Sequence, residues 1–366
     1  MNKKDKIQGE ALAEAYRHNQ CTLALSMGIG KTYTGLKYAE NYFKKGIKIL
    51  IAAPKLSTQE EWQLEAKKYK KDYLLDNITF TTYLSMHRQS DTYDIIILDE
   101  CHNLKFKHDN FLTAHLNNGG KILGLTGTPP DERYKTSEKY KMVSKFCPVE
   151  FTYLTENAIK DKMLNDYKII VHCIPLSSKN DLEIQTKKVT FTTSELKSYN
   201  YYTQKLATNA KSSGMKFLRI QRMSVMKKFK SKELYAKKLF SKIDAKCILF
   251  ANTKAQADSL CKHSYHSGNK NSNENLELFK SGAITKLSAV EQLSEGKNIP
   301  GLKQAIILHS YSNNRQASQK LGRTLRLNPE DTSTIHILCY KDTIDVEWVQ
   351  SALNNYNKDK IKWLNK

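Results

Sequence analysis

Short apolar runs followed by polar helical stretches recur along this chain, and that alternation constrains its fold more than any other feature. Residues 21–25 form such a run and end in a glycine turn, after which 32–43 reads as a helix. Residues 48–53 form a second run, stopped by Pro54 and followed by a polar helical stretch over 58–69. Segments 78–80, 94–98 and 121–125 supply further strands. Apart from 78–80, none alternates polar with apolar, which is the pattern of strands covered on both faces, as in a parallel sheet between helix layers. The same grammar returns at 247–250, 286–290, 304–309 and 333–339. Two α/β units are expected, 1–150 and 151–366, each a mostly parallel sheet with helices on both faces. Residues 131–246 differ in character. They read as a hairpin, 168–174 with 187–191, and then long polar helices, with ten Lys or Arg against one Glu between 211 and 238.

Charge and cysteine usage narrow the function classes. The 366 residues carry 59 Lys and Arg against 37 Asp and Glu, a formal net charge of +22. That excess favours a polyanionic partner such as nucleic acid. A membrane surface is the competing partner, but no long basic amphipathic helix supports it. The longest apolar runs, such as Ile95-Ile96-Ile97-Leu98, fall far short of a bilayer span, and no apolar stretch follows the basic start, so no leader is expected. Seven scattered cysteines suit a reducing cytoplasm better than a disulfide framework. Cys261, His263 and His266 lie close together without a C-x-x-C, and no zinc site is expected of them.

Two motifs carry chemistry. Ser26-Met27-Gly28-Ile29-Gly30-Lys31-Thr32 falls between a strand and a helix, where glycines let backbone N–H groups and the helix start wrap a phosphate. Lys31 would reach the β- and γ-phosphates, and the Thr32 hydroxyl would ligate Mg²⁺. The eight-residue form of this motif places a glycine where the chain has Leu25. The second motif, Asp94 through His102, is an apolar strand ending in two carboxylates. Asp99 at its tip suits Mg²⁺, and Glu100 suits orienting or deprotonating the attacking water.

Met27-Gly28-Ile29-Gly30-Lys31-Thr32 together with Asp99-Glu100-Cys101-His102 resembles motifs I and II of the superfamily 2 helicases and translocases, in the DEAH-like branch, whose shorter loop accounts for Leu25. Further motifs resemble the family's in order. Gln8 resembles the glutamine that reads adenine. Ala53-Pro54-Lys55 through Trp62 is similar to motif Ia, Thr81-Thr82-Tyr83 to motif Ib, and Thr126-Gly127-Thr128-Pro129 to motif III. Ile248 through Asn252 resembles motif IV, Glu295-Gly296-Lys297-Asn298-Ile299 motif V, and the run from Gln319 to Arg326 fits Q-x-x-G-R-x-x-R, motif VI. The resemblance implies two tandem RecA-like domains with ATP in the cleft between them. It makes Gln319, Arg323 and Arg326 catalytic, the arginines acting as fingers on the departing phosphate, and puts Gly296 and Asn298 among the nucleotide contacts. Nucleic-acid contacts are expected at Lys55, Thr81, Thr82, Thr253 and Lys254. A basic stretch of Lys216, Arg219, Arg222, Lys227, Lys228 and Lys230, interleaved with Phe217 and Phe229, would extend the grip.

The implied activity is an ATP- and Mg²⁺-dependent helicase or translocase from a phage or bacterial source, working as a monomer in the cytoplasm beside replication or recombination proteins. DNA is expected over RNA. The alternatives are a double-strand translocase without unwinding and an RNA helicase or ATP-gated RNA clamp. The segment 177–181 is a candidate strand-separating wedge.

Overall fold

In the computed structural model the described residues are 2–26, 28–89, 91–163, 166–185, 189–208, 214–290, 299–308, 332–354 and 356–365. The chain divides into two compact units, Met1–Met163 and Leu164–Lys366.

The first unit runs α1 (Lys3–Ala15), β1 (Gln20–Leu25), α2 (Lys31–Asn41), β2 (Ile49–Ala53), α3 (Ser57–Lys68), β3 (Ile78–Thr82), β4 (Ile95–Asp99), α4 (Asp109–Asn117), β5 (Lys121–Thr126), α5 (Glu138–Phe146), β6 (Val149–Tyr153) and α6 (Thr155–Lys160). Its sheet has the order β3-β2-β4-β5-β1-β6, every pairing parallel. β2 and β4 are buried at every residue, as their unbroken apolar runs require. Because the strands run the same way, the ends of β1, β4 and β5 share one edge, and the ends of β2 and β3 continue it. Ligands of open parallel sheets bind beyond that edge.

The second unit contains β7 (Asp166–Ile174), β8 (Leu182–Gln185), β9 (Thr190–Thr193), α7 (Glu195–Thr208), α8 (Met215–Met226), α9 (Lys230–Lys242), β10 (Cys247–Phe250), α10 (Lys254–Leu260), β11 (Ser264–Tyr265), α11 (Ser272–Ser281), β12 (Lys286–Ala289), β13 (Gln304–Leu308), β14 (Thr332–Tyr340), α12 (Ile344–Ala352) and β15 (Ile361–Leu364). Seven of these strands form a second parallel sheet, β11-β12-β10-β13-β14-β7-β15.

The strand runs of both units lie where the sequence places them, and both sheets are parallel with helices on their two faces. Two readings change. The hairpin is β8 with β9, antiparallel from Leu182↔Thr193 to Gln185↔Thr190, while β7 pairs with β14 along its whole length. β7 is too apolar to stand outside the sheet: Ile169, Val171 and Cys173 are buried. Residues 177–181 are consequently the link into β8 and not a hairpin tip. The first unit also extends past residue 150, because β6 closes the edge beside β1 and α6 follows it.

Lys232 and Asp345 form a buried ion pair in the second unit, with the Lys232 ammonium 4.1 Å from the Tyr340 ring centre. Burying both charges is tolerable only because they satisfy one another. Beside them, buried Glu195 accepts hydrogen bonds from the backbone N–H groups of Ser177 and Ser231 and from the Ser231 hydroxyl.

Candidate nucleotide site

The loop from β1 to α2 is shaped by backbone that L side chains avoid. Gly28 and Gly30 have φ of 85° and 89°. A Cβ on Gly30 would also come within 2.8 Å of the Gln8 side-chain nitrogen. The loop is tethered at both ends. Ser26 N–H donates to the Tyr153 carbonyl at 2.7 Å, and both the N–H and hydroxyl of Thr34 donate to the Gly30 carbonyl. Gln8 is buried and donates from Nε2 to the Ile29 carbonyl at 2.5 Å, so it braces the loop from below. Lys31 opens α2 and Thr32 follows it in the first turn. Met27 lies outside the described residues.

Across the sheet edge, β4 delivers Asp99 and Glu100 to the same place. Asp99 is buried, and its Oδ2 accepts the Trp62 indole N–H at 3.0 Å. Burial pushes its carboxyl up to about 6, the neighbouring Glu100 charge adds to this, and the Trp62 hydrogen bond and Lys31 oppose it. Trp62 comes from α3 and lies against Gly35 of α2, where a Cβ would sit 2.5 Å from the ring. Glycine at that helical position is what admits the indole.

Glu100 has φ 55°, a left-handed conformation costly for a side chain. Its carbonyl accepts from the backbone N–H and the side-chain amide of Asn103, at 3.0 and 2.9 Å. Its carboxylate is bracketed. Lys31 Nζ is 3.8 Å from Oε1, and the Thr126 hydroxyl donates to Oε2 at 3.1 Å. Thr126 Oγ1 is 2.8 Å from His102 Nδ1 and accepts the Thr128 N–H at 3.1 Å. A hydroxyl has one proton to give. With that proton on Glu100, His102 must present an Nδ1–H. The turn Thr126-Gly127-Thr128 therefore ties β5 to the tip of β4, and a Cβ on Gly127 would meet Lys31 Nζ at 3.3 Å.

The structure thus brings Gly28, Ile29, Gly30, Lys31, Thr32, Asp99 and Glu100 together in one unit, with Gln8 beneath the loop. Sequence reasoning missed the work of Trp62, Thr126 and His102. Each stands inside a motif, but nothing in one chain says which atom a motif residue touches. A divalent cation fits this donor set: two adjacent carboxylates, one desolvated to a carboxyl near 6, form a charge pair that a cation would relieve. Asp99 and Thr32 would hold it.

The expected nucleic-acid contacts divide between the units. Lys55 is exposed at the end of β2. Thr81 is buried and accepts from Gln89 at 3.4 Å, which leaves half-buried Thr82 as the reachable hydroxyl on β3. In the second unit, Thr253 caps α10 through a 3.2 Å bond from Gln256 N–H, and Gln256 Nε2 donates to the Lys227 carbonyl at 2.9 Å. Lys227, Lys228, Thr253 and Lys254 are therefore neighbours. The basic stretch is not one helix, since it breaks between α8 and α9, where Phe229 is buried while Phe217 stays exposed. Gly296, Asn298, Gln319, Arg323 and Arg326 lie outside the described residues.

Comparison with known proteins sorts this geometry. A model of the type III restriction enzyme res subunit family matches residues 3–131, and one of the helicase conserved C-terminal domain matches residues 230–328. Together the two models cover most of the chain and support a superfamily 2 helicase or translocase. It is 24% identical to the DNA 3′-5′ translocase XPB2 of Sulfurisphaera tokodaii, over 93% of this chain and 84% of that protein. Among solved structures, the DNA-bound type ISP restriction-modification enzyme LlaBIII matches all of this chain with a TM-score of 0.62 and 15% identity. The chain spans 31% of that enzyme. The Pyrococcus furiosus Hef helicase domain matches 95% of this chain and 97% of its own length, with a TM-score of 0.53 and 15% identity. At these identities the structural matches speak for the fold, which is RecA-like in both units. Helicase-family domains imply an ATPase, and ATP use in this family usually involves Mg²⁺. Among the described residues no helix is long and apolar enough to cross a membrane.

Proposed function

We propose that this protein is an ATP-dependent DNA helicase or translocase that hydrolyses ATP with Mg²⁺ to move along DNA. The observation carrying the reading is the convergence of Lys31, Asp99 and Glu100 on one sheet edge below a glycine loop, with Glu100 locked by Thr126. The roles follow from the chemistry. Loop N–H groups and the start of α2 hold the phosphates, and Lys31 neutralises the outer ones. A Mg²⁺ ion held by Asp99 and Thr32 would supply positive charge to the phosphate oxygens. Glu100 orients the attacking water and accepts its proton at the carboxylate. The Thr126 hydroxyl and Lys31 fix that carboxylate's direction, so the base is in place before substrate arrives. Arg323 and Arg326 supply further charge to the departing phosphate.

The excess of basic residues favours a nucleic-acid partner, and the similarity to a DNA translocase over most of both chains favours DNA. Lys55, Thr82, Thr253, Lys254, Lys227 and Lys228 grip phosphates without reading bases. The test is ATPase rate with single-stranded DNA, duplex DNA and RNA. Stimulation by either DNA above RNA supports the reading, stimulation by RNA alone replaces it with an RNA helicase, and no response to any of them removes it.

A further inference from the structure

A cavity of about 450 Å³ opens in the second unit, where the carboxyl ends of β7 and β14 meet α7 and α8. That volume suits a small molecule. Part of its lining is Tyr199 and Thr203 of α7 with Arg222 of α8, and the rest is the turn after β14 and the start of α12, with buried Cys173 of β7. These residues all lie outside 3–131 and 230–328, the stretches that carry the helicase resemblance.

The polar groups that the helices bring here are donors without acceptors. Arg222 is half-buried; it donates to the Thr203 hydroxyl at 3.2 Å and lies 5.5 Å from the centre of the Tyr199 ring. Neither neighbour carries charge, and a guanidinium has five N–H groups to satisfy. Half-buried Lys341 is anchored through its backbone N–H, which donates to the Ile174 carbonyl at 2.8 Å. Among the described residues no carboxylate pairs with Arg222 or with Lys341. The buried Tyr199 hydroxyl accepts the Ile344 N–H at 2.9 Å, and the Thr203 hydroxyl accepts from Arg222. Among the described residues neither hydroxyl proton has an acceptor. Two cations and two hydroxyl protons thus line one space.

Two exposed carboxylates, Asp342 and Glu347, line the same cavity. Asp342 has φ 56°, and its turn is held by the Thr343 hydroxyl donating to the Tyr340 carbonyl at 2.8 Å and by the Tyr340 N–H donating to buried Asp345 at 3.1 Å. The lining is therefore fixed before a ligand arrives. The acids repel a polyanionic strand or a triphosphate, and they accept hydrogen bonds from hydroxyl groups. A single phosphate monoester carries a charge of about −1.5 to −2 at pH 7 and three acceptor oxygens, which matches two cations and two hydroxyl donors better than a carboxylate does.

We propose that this cavity binds a small phosphate monoester on a hydroxylated carrier, of the sugar-phosphate class. The phosphate lies on Arg222, Lys341 and the Tyr199 and Thr203 hydroxyls, and the carrier's hydroxyls lie on Asp342 and Glu347. Arg222 is thereby committed to an anion other than a nucleic-acid backbone, and bound ligand ties α7 and α8 to the end of β14. The proposal does not rest on the nucleic-acid reading.

The test is calorimetric titration of the full chain with ribose 5-phosphate, with excess ADP and Mg²⁺ present to fill the loop at Gly30. Ribose 5-phosphate binds saturably and ribose does not. Arg222→Gln and Lys341→Gln each lower the affinity about tenfold or more, as loss of a charged donor to phosphate does. Arg222→Lys retains part of it, because the charge survives without the fork. Absence of saturable binding to the wild type overturns the proposal. So does unchanged affinity in the Arg222→Gln and Lys341→Gln chains. Melting curves check that both variants fold, and if Arg222→Gln melts early, Lys341→Gln alone decides. A 5′-phosphorylated oligothymidine that displaces the sugar phosphate at equal concentration, where the unphosphorylated oligomer does not, would put the monoester on a strand end and overturn the small carrier.

Discussion

Trp62→Phe isolates one atom's work at the nucleotide site. The indole N–H donates at 3.0 Å to the buried Asp99 carboxylate, and the ring fills the space above Gly35. Phenylalanine keeps most of the packing and deletes the donor. A hydrogen bond to a charged group contributes about 1.5–3 kcal/mol. Part of that sum acts on fold stability and part on the carboxylate's aim, because Asp99 loses its fixed partner. If most of it bears on Mg²⁺ retention, the Mg²⁺ concentration giving half-maximal ATPase rises roughly 10- to 100-fold, at about 1.4 kcal/mol per decade. The assay is ATP turnover titrated with Mg²⁺ at saturating nucleotide, with a melting curve in parallel. Trp62→Ala is the packing control. It removes a large fully buried ring and costs about 3–5 kcal/mol of stability, as truncation of a core aromatic does. A Trp62→Phe chain with the wild-type Mg²⁺ titration and an unchanged melting curve would refute the assignment, since a donor worth that much cannot be silent in both.

The remaining expectations are simpler. Lys31→Ala abolishes turnover, while Glu100→Gln keeps nucleotide binding and stops hydrolysis; a labelled-ATP binding assay beside a phosphate-release assay separates the two. Arg323→Ala and Arg326→Ala lower kcat more than ATP affinity, and unchanged kcat in both variants would remove the finger assignment. Lys227→Ala with Lys228→Ala reduces the slope of log K against log salt by about 1.4 on single strands if both touch phosphates. Stability of the second unit falls with acid through a buried histidine pair. His172 Nε2 is 3.0 Å from His336 Nδ1, and burial pulls both down, His336 to about 4. The unfolded chain takes up these protons near pH 6.5 and the folded one, at His336, only near 4. Stability is therefore full above about 6.5 and is lost progressively between those values, by on the order of a few kcal/mol. His336→Gln should flatten the dependence of melting temperature on pH across that window.

Much of this was legible in the chain, for definite reasons. Unalternating runs such as Ile95 to Leu98 have one comfortable place, inside a parallel sheet, so the strand order along the chain and the sheet type could be read directly. Lys31, Asp99 and Glu100 were legible because phosphate chemistry restricts residue types at strand ends. β7 was misassigned because one strand cannot announce its partner: it pairs with β14, far away in sequence, and the nearer polar run 187–191 looked like a simpler mate. The Trp62–Asp99 bond and the Thr126–His102 bracket were invisible for the same reason, as each joins residues whose meeting the sheet arranges. Phe229 looked like a surface aromatic amid lysines, yet burial with Tyr340 claims it, the two rings 5.6 Å apart.

Third-strand displacement from a DNA triplex most directly tests whether hydrolysis at Lys31, Asp99 and Glu100 drives movement. The wild-type chain should release the third strand only with ATP and Mg²⁺, and Glu100→Gln should bind ATP and DNA yet release nothing. A wild type that consumes ATP on DNA but neither displaces the third strand nor opens a forked duplex, or a Glu100→Gln chain as active as the wild type, would contradict the account.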